Sequence, residues 1–236
     1  MLMPESKSAF WSGFRDCSPF ILVVAPFGLL FGVVATEAGL DLLETMTMTV
    51  LVIAGAAQFT ALALLEDQAP TIIVIIAALA VNLRMAMYSA ALAPHLGELS
   101  LGTRAIASYF MVDQTFAVSI KKYEQQLSWP VSRKIAYFFG SAASICPFWY
   151  SFTLIGALVG QAIPKEFSLD FAIPICFIAI VAPMLRSLPH LAAALVSVLV
   201  ALLLAWMPYN LWLLVAAIIA MMVGARTELW IARWQT

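Results

Sequence analysis

The chain has 236 residues, of which 64% are hydrophobic and 11% charged, and its net charge at pH 7 is −1. Soluble domains are nearer about 45–50% apolar and about 25% charged, so this composition excludes an ordinary soluble domain and predicts an all-α polytopic membrane protein. The charge balance gives no basic surface for nucleic acid. The three cysteines and two histidines lack ligand spacing, so neither a metal site nor a cofactor is expected.

Eight segments, taken in chain order, are long and apolar enough to cross, or nearly cross, a bilayer core of about 30 Å. They are residues 18–36, 46–65, 71–93, 105–120, 135–163, 169–185, 191–207 and 209–225. Several have only about 17 residues, so the sequence predicts about eight spans, with seven possible and some broken or re-entrant. The fifth segment contains Pro147, which predicts either one kinked span or two pieces.

The lysines and arginines predict the orientation, because cytoplasmic loops carry an excess of both. With a cytoplasmic N-terminus and eight crossings, nine of the twelve lie inside, Arg104 and Lys165 lie outside, and Arg84 lies within the membrane. Two re-entrant segments in place of two spans would preserve this agreement. No polar stretch is long enough for a soluble domain. We therefore expect one membrane domain over residues 1–236, with a cytoplasmic or interfacial segment at 1–17 and a cytoplasmic tail at 226–236.

Arg84 places a permanent charge inside an apolar segment, in the sequence VNLRMAMYSAALAP. A charge at that depth costs at least about 2.5–3.5 kcal/mol on insertion scales, so it needs a partner or a water-filled cavity. Asp113 in the fourth segment falls at a similar depth, on what would be the consecutive antiparallel span. The two residues predict either an ion pair that fixes helix packing or a site for a substrate or a coupling ion.

Three further segments contain patterns that are typical of transport sites. Gln58 follows small residues in AGAAQFTALALL, which suits either close helix packing with one hydrogen bond or a polar group that binds a ligand. Pro26 lies in APFGLLFG and Pro147 in CPFWYSFTLIGALVG, each beside a GxxxG pattern. A proline-interrupted, glycine-rich segment in each half indicates discontinuous helices at a binding site, with an ordinary kink as the alternative.

These patterns together resemble the AzlC family of branched-chain amino acid exporters. The matching stretches are PFGLLFGVVATEAGL, IAGAAQFTALALL, VNLRMAMYSAALAPHL, VDQTFAV, the FFG…W…TLIGALVG pattern and LDFAIPICFIAIVAPMLR, which cover nearly the whole chain. The sequence departs from the family at two positions. Met85 follows the NLR arginine where members often have His, and Gln114 follows Asp113 where members often have Glu.

The resemblance implies an exporter of branched-chain or related apolar amino acids in a bacterial inner membrane, with a small AzlD-like four-span membrane protein as partner. A zwitterionic substrate needs a cation or helix N-termini, an anion or carbonyls, and an apolar pocket. We expect Arg84, or the broken first span near Phe27 and Gly28, to meet the carboxylate, and Asp113 to balance Arg84 or meet the ammonium. The other expected substrate-binding residues are Gln58, Asn82 and Tyr88 for hydrogen bonds, and Phe27, Phe59, Phe148 and Trp149 for the side-chain pocket.

Two other functions stay open at this level. An ion- or metabolite-translocating protein would share the composition, and so would a structural subunit whose partner carries the site. Proton antiport is the simplest driving force, with Asp113 or Glu37 as titrating groups. An enzyme is not expected, because neither His95 nor His190 is well placed for a nucleophile–base pair inside the membrane.

Overall fold

The computed structural model describes residues 4–162, 185–207 and 211–234, and within them all regular structure is helical. The α-helices are α1 (Pro4–Cys17), α2 (Ile21–Glu37), α3 (Leu42–Leu51), α4 (Gly55–Glu66), α5 (Thr71–Leu96), α6 (Leu101–Tyr109), α7 (Asp113–Gln125), α8 (Val131–Ala162), α9 (Leu188–Leu203) and α10 (Trp212–Trp234). A 3₁₀ turn at Ser18–Phe20 joins α1 to α2. The predicted all-α membrane fold is confirmed, although the sixth predicted segment, residues 169–185, falls almost wholly outside the described residues.

Four described helical segments are long and apolar enough to cross a membrane. They are Glu5–Glu37, Thr71–Leu96, Val131–Ala162 and Val215–Arg233. The N-terminal segment predicted at 1–17 contains α1, which leads directly into α2. The tail predicted at 226–236 is not a separate segment in the described residues, because α10 continues through it to Trp234.

The chain divides into two compact units, formed by residues 1–59 with 81–167 and by residues 60–80 with 168–236. In the second unit, α9 packs against α10, and Gly224 lies against the side chain of Ala193. The first unit contains every residue that the sequence analysis selected as a candidate for substrate binding. The candidate site therefore lies within the first unit.

A long rod made of α1, the 3₁₀ turn and α2 packs along α8 in the same direction. The close contacts advance together along both segments, pairing Phe10 with Gly140, Gly32 with Thr153 and Thr36 with Gly160. A Cβ at Gly32 or Gly140 would collide with the facing backbone, so glycine is what permits this approach. Small residues at a helix interface are the usual means of packing in membranes, where apolar side chains gain nothing by leaving lipid.

Helices α5 and α7 also run in the same direction. The Tyr88 hydroxyl donates to Asp113 Oδ1 at 3.0 Å, at the start of α7. Farther along both helices, the rings of His95 and Tyr123 lie 5.3 Å apart. Since α6 connects two parallel helices, it must run back into the interior between them.

The end of α6 confirms this course. The Tyr109 hydroxyl donates to the Val50 carbonyl at 2.6 Å and lies 3.0 Å from the hydroxyl of Tyr150, well inside α8. At the other end of α7, the Tyr123 hydroxyl donates to the Lys134 carbonyl, in the first turn of α8. Helices α6 and α7 therefore form a re-entrant hairpin that enters and leaves at the face where α8 begins.

Helices α3 and α4 form a second hairpin at the opposite end of α2. Helix α3 begins just after α2 ends, and its Thr49 hydroxyl accepts a hydrogen bond from Trp149 Nε1 at 3.0 Å, halfway along α8. Helix α4 then starts beside Phe27, and the ring of Phe59 lies 4.9 Å from Phe27 and 5.4 Å from Phe31. The first turns of α4 thus follow the direction of α2, so α3 goes in and α4 returns.

These two hairpins make an inverted repeat. In each half a long helix is followed by a helix of 10 or 9 residues, a three-residue break at 52–54 or 110–112, and a helix of 12 or 13 residues. Helices α2 and α5 run in opposite directions, because α2 is parallel to α8 while α5 ends where α8 begins. The second and fourth predicted segments are therefore the broken, re-entrant ones.

The prediction of interruptions at Pro26 and Pro147 was wrong, since α2 and α8 continue through both prolines. The breaks fall instead in VIA and FMV, which contain neither glycine nor proline. Val52 and Val112 adopt extended backbone angles there, and Val112 is held by hydrogen bonds with the Thr115 hydroxyl. At these breaks, backbone groups are bonded by the Thr115 hydroxyl within the turn and by the Tyr109 hydroxyl across the fold.

The hairpins also strengthen the predicted charge asymmetry. Arg104 lies in the first turn of α6, and α6 starts at the same face as the basic residues Lys121, Lys122, Arg133 and Lys134. It therefore joins the cytoplasmic set under the predicted orientation, whereas eight full crossings would have placed it outside.

We expect cysteines introduced at Glu98 and Gln126 to be labelled from the same face, because the α6–α7 hairpin returns to the side it came from. Both positions are exposed. The background would lack the native cysteines, Cys17, Cys146 and Cys176. A membrane-impermeant maleimide applied to intact cells and to inverted vesicles reports the face, and both sites should react in inverted vesicles.

Glu37→Cys, at the end of α2, is the matched control and should react only in intact cells. Labelling of Glu98→Cys and Gln126→Cys from opposite faces would mean that this segment crosses the membrane and that the hairpin is wrong.

Candidate functional site

The intramembrane charge at Arg84 is paired. Its Nη1 lies 3.0 Å from Asp113 Oδ2, and the Tyr88 hydroxyl donates to the other carboxylate oxygen at 3.0 Å. Asp113 is the first residue of α7, where the positive end of the helix dipole favours a carboxylate. The ring of Tyr88 stacks on Phe116 with centroids 4.1 Å apart, which holds its hydroxyl in place. We call Arg84, Tyr88, Asp113 and Phe116 the charge cluster.

The charge cluster retains hydrogen-bonding capacity. Arg84 Nε is buried without a hydrogen-bond partner among the described residues, and the same holds for Asn82 Oδ1. The side chains of Arg84 and Asp113 nevertheless keep 28% and 40% of their exposed area. The pair is therefore reachable by a small ligand, and it can offer a donor and an acceptor beyond those it already uses.

A second group of residues is apolar and closed. Four pairs of rings in this group have centroids 4.9–6.2 Å apart. They are Phe27–Phe59, Phe27–Trp149, Phe31–Phe59 and Phe31–Trp149. Phe31, Phe59 and Trp149 are buried. Gly55 faces the rings of Phe27 and Trp149 closely enough that an added Cβ would stand 2.7 Å and 3.0 Å from their carbons. We call this group the aromatic cluster.

Gln58 lies at the edge of the aromatic cluster and is almost fully buried, with 1% of its surface exposed. Its Nε2 donates to Thr49 Oγ1 at 3.1 Å, and the same oxygen accepts from Trp149 Nε1 at 3.0 Å. The Gln58 Oε1 atom has no partner among the described residues. Rotating the amide by 180° would only exchange which of its two polar atoms is unpaired. Such an atom costs free energy when buried, so Gln58 has an unused polar atom available for a hydrogen bond.

Tyr109 links the two hairpins. Its hydroxyl donates to the carbonyl of Val50, at the end of α3, and lies 3.0 Å from the hydroxyl of Tyr150 on α8. The end of α6 therefore meets the end of α3 at this tyrosine.

A cavity of about 410 Å³ leads toward the charge cluster. It lies between the end of α5 and α6. Its lining runs from Gly97 and Leu101, at the face where α8 begins, to Ser89 and Met111, which adjoin Tyr88 and the break before Asp113. The volume falls in the range of small-molecule pockets. The residues of the charge cluster do not line this recess, which ends at their neighbours in the chain.

The structure distributes the predicted site residues over both clusters. Arg84, Asp113 and Tyr88 belong to the charge cluster, Asn82 lies two residues before Arg84, and Phe27, Gly28, Phe59, Gln58 and Trp149 form or border the aromatic cluster. Phe148 is half-buried next to Trp149 and takes no part in the ring contacts described above. The predicted Arg84–Asp113 pairing is present, but on parallel helices, since α6 intervenes.

Sequence reasoning missed Thr49, Phe31, Tyr109 and Phe116. Phe31 carried a usable signal, because it lies four residues after Phe27 and therefore on the same face of α2. The others carried none. Thr49 is one of several threonines in TMTMT, and Tyr109 becomes important only through the break that follows it.

Comparison with known proteins places this geometry in context. Residues 19–163 match the family described as AzlC protein. The chain is 26% identical to the inner membrane protein YgaZ of Escherichia coli K12, over 97% of this chain and 93% of that protein. It is 28% identical to an uncharacterized membrane protein of Archaeoglobus fulgidus, over 84% of this chain and 85% of that one. No solved structure matches the chain.

We expect Asp113→Asn to destabilise the protein more than the double variant Arg84→Gln with Asp113→Asn. The single change leaves an arginine without its counter-charge, at a cost on the order of 2–3 kcal/mol, whereas the double change removes both charges. Thermal unfolding in detergent measures the difference in Tm. Glu98→Gln, an exposed acid, is the control. Equal Tm values for the single and double variants would show that the ion pair has no energetic role.

Proposed function

This chain belongs to the AzlC family of membrane proteins, and we propose that it exports branched-chain or related apolar amino acids across a bacterial inner membrane. The single observation that carries the proposal is the reachable charge cluster beside the closed aromatic cluster. A zwitterion with an apolar side chain needs both kinds of surface. Transport, and not catalysis, is the activity that we assign to it.

The ammonium and the carboxylate of the substrate have chemically matched partners. Arg84 Nε offers an unused donor to a carboxylate, and Asp113 offers a carboxylate to an ammonium when the ion pair rearranges. Gln58 Oε1 and Asn82 Oδ1 add unused acceptors. Charge-assisted hydrogen bonds of this kind contribute about 1.5–3 kcal/mol each.

The apolar side chain of the substrate belongs in the aromatic cluster. That cluster is packed shut, so admitting a side chain requires the rings of Phe27 and Trp149 to separate. The break at 52–54 gives α4 a joint about which Phe59 can move. The substrate would reach the cluster through the cavity between α5 and α6.

An AzlD-like four-span membrane protein is the partner that we propose. Support comes from the family membership and from a broad apolar surface on α5, where Ile72, Ile76, Leu79 and Leu83 are all half or more exposed. Export against a gradient needs a driving force, and we propose proton antiport.

We expect Arg84→Gln to lower efflux by about tenfold or more, because the loss of one charge-assisted contact is worth at least a factor of ten. Cells would be loaded with isotopically labelled valine, leucine, isoleucine or methionine as dipeptides, and efflux followed in time. The strains would express the protein alone, with the AzlD-like partner, and with the partner plus Arg84→Gln.

Arg15→Gln, an exposed arginine on α1, is the matched control and should leave efflux unchanged. Normal efflux by Arg84→Gln together with the partner would move the site out of this chain and favour a structural subunit. Efflux that is the same in cells with and without the wild-type pair would contradict amino acid export, and conductance measurements would then test ion translocation.

A further inference from the structure

A nearly buried lysine contacts a histidine at the face where α8 begins. Lys134, in the first turn of α8, has 8% of its surface exposed, and its Nζ lies 3.3 Å from Nδ1 of His95 in the last turn of α5. The ammonium also lies 5.8 Å from the centre of the Tyr123 ring. Neither residue belongs to the charge cluster or to the aromatic cluster.

The partner of this lysine is a base and not an acid. In the described part of the chain, no carboxylate lies within ion-pair distance of Lys134, while the neighbouring Lys122 and Arg133 pair with Asp16 and Glu5. A buried ammonium normally requires a counter-charge. Here its polar side-chain contact is imidazole Nδ1, which accepts a hydrogen bond only when it carries no proton. The Lys134–His95 contact therefore needs an imidazole whose Nδ1 carries no proton.

The groups that face this pair come from three helices. Lys134 on α8 and His95 on α5 are joined by Tyr123 on α7, and the neighbouring Glu124 on α7 acts electrostatically on the imidazole. Asp16 on α1 is engaged by Lys122 and by the Tyr137 hydroxyl. Asp16 is therefore already paired, and Glu124 is the acid that acts on His95.

The proton that His95 exchanges comes from water, since the imidazole is only partly buried. An N–H bond forms at Nδ1 as an O–H bond of hydronium breaks, which leaves an imidazolium and a water molecule. The imidazolium cannot accept a hydrogen bond from Lys134, so the contact between the two side chains breaks. The reverse sequence releases the proton and restores the contact. No oxidant, metal or further reactant is needed.

A stripe of buried hydroxyls lies on α7 beside this pair. Tyr123, Ser119 and Thr115 are fully buried at intervals of four residues along α7, so they lie on one face of the helix. The stripe ends at Thr115, two residues after Asp113 and therefore on a different face of α7. The Tyr123 hydroxyl donates to the Lys134 carbonyl and the Thr115 hydroxyl to the Val112 carbonyl, so the stripe does not extend the Lys134–His95 contact to the charge cluster.

We propose that His95 is a proton-exchange site at the face where α8 begins, and that its contact with Lys134 forms only when the imidazole is neutral. The further statement that this proton drives export rests on the proposed function. The site itself does not, and the two are tested separately.

The protonation of His95 is measured directly by NMR. The sequence contains only two histidines, so His190→Asn leaves His95 as the only source of an imidazole signal. In that background, ¹⁵N-histidine-labelled protein should show a neutral His95 at pH 7. Lys134→Met should make the imidazole carry the proton over a range of pH in which it is neutral with Lys134 present. Lys121→Met, an exposed lysine on α7, should change nothing. Identical titrations with and without Lys134 would overturn the proposal.

The role in coupling is measured with reconstituted vesicles. His95→Asn keeps an acceptor near the position of Nδ1 but cannot carry a proton. It should keep the exchange of labelled for unlabelled amino acid while losing at least tenfold of the net flux driven by a pH gradient. His190→Asn is the control and should keep both activities. Gradient-driven flux at the control rate in His95→Asn would exclude His95 from coupling. Absence of both activities in wild-type vesicles would instead contradict amino acid export, and the NMR titration would still decide the proton site.

Discussion

Two helices end inside the membrane domain, and the rest of the first unit is arranged around the polar backbone groups exposed at those ends. In hydrocarbon, each unsatisfied N–H or C=O group costs several kcal/mol. The Val50 carbonyl at the end of α3 is satisfied by the Tyr109 hydroxyl, and the Val112 N–H before α7 by the Thr115 hydroxyl. These side-chain hydrogen bonds let both helices stop without leaving the two backbone groups unpaired, at positions where Val50 and Tyr109 are themselves partly exposed.

Helix α8 contacts the ends of both α3 and α6. At about 1.5 Å per residue, its 32 residues extend about 48 Å, longer than the bilayer core. Gly140 and Gly156 let the α1–α2 rod approach one side of it to backbone contact. Trp149 and Tyr150 on α8 then reach the ends of α3 and α6 with their polar atoms. A single rigid helix thus positions both clusters, and the small residues that pack it carry no chemistry of their own.

The sequence predicted which helices and charged residues are present better than it predicted where the helices break and how they connect. Long apolar runs fixed the helical class and most helix positions, because the bilayer sets their length. Arg84 and Asp113 were predictable as a pair, since a charge in a membrane requires a partner. The breaks were not predictable, because VIA and FMV are unremarkable in isolation and Tyr109 and Thr115, which stabilise them, act across the fold or across a turn. Proline pointed to α2 and α8 instead, where packing tolerates it.

The inverted repeat places unlike residues at equivalent helix starts, and this difference has an electrostatic consequence. Helix α4 begins with Gly55 and two alanines, so the positive end of its dipole meets no acidic side chain in the first turn. Helix α7 begins with Asp113, whose charge outweighs the dipole, and Arg84 balances it. One helix start therefore favours an anion and the other supplies one.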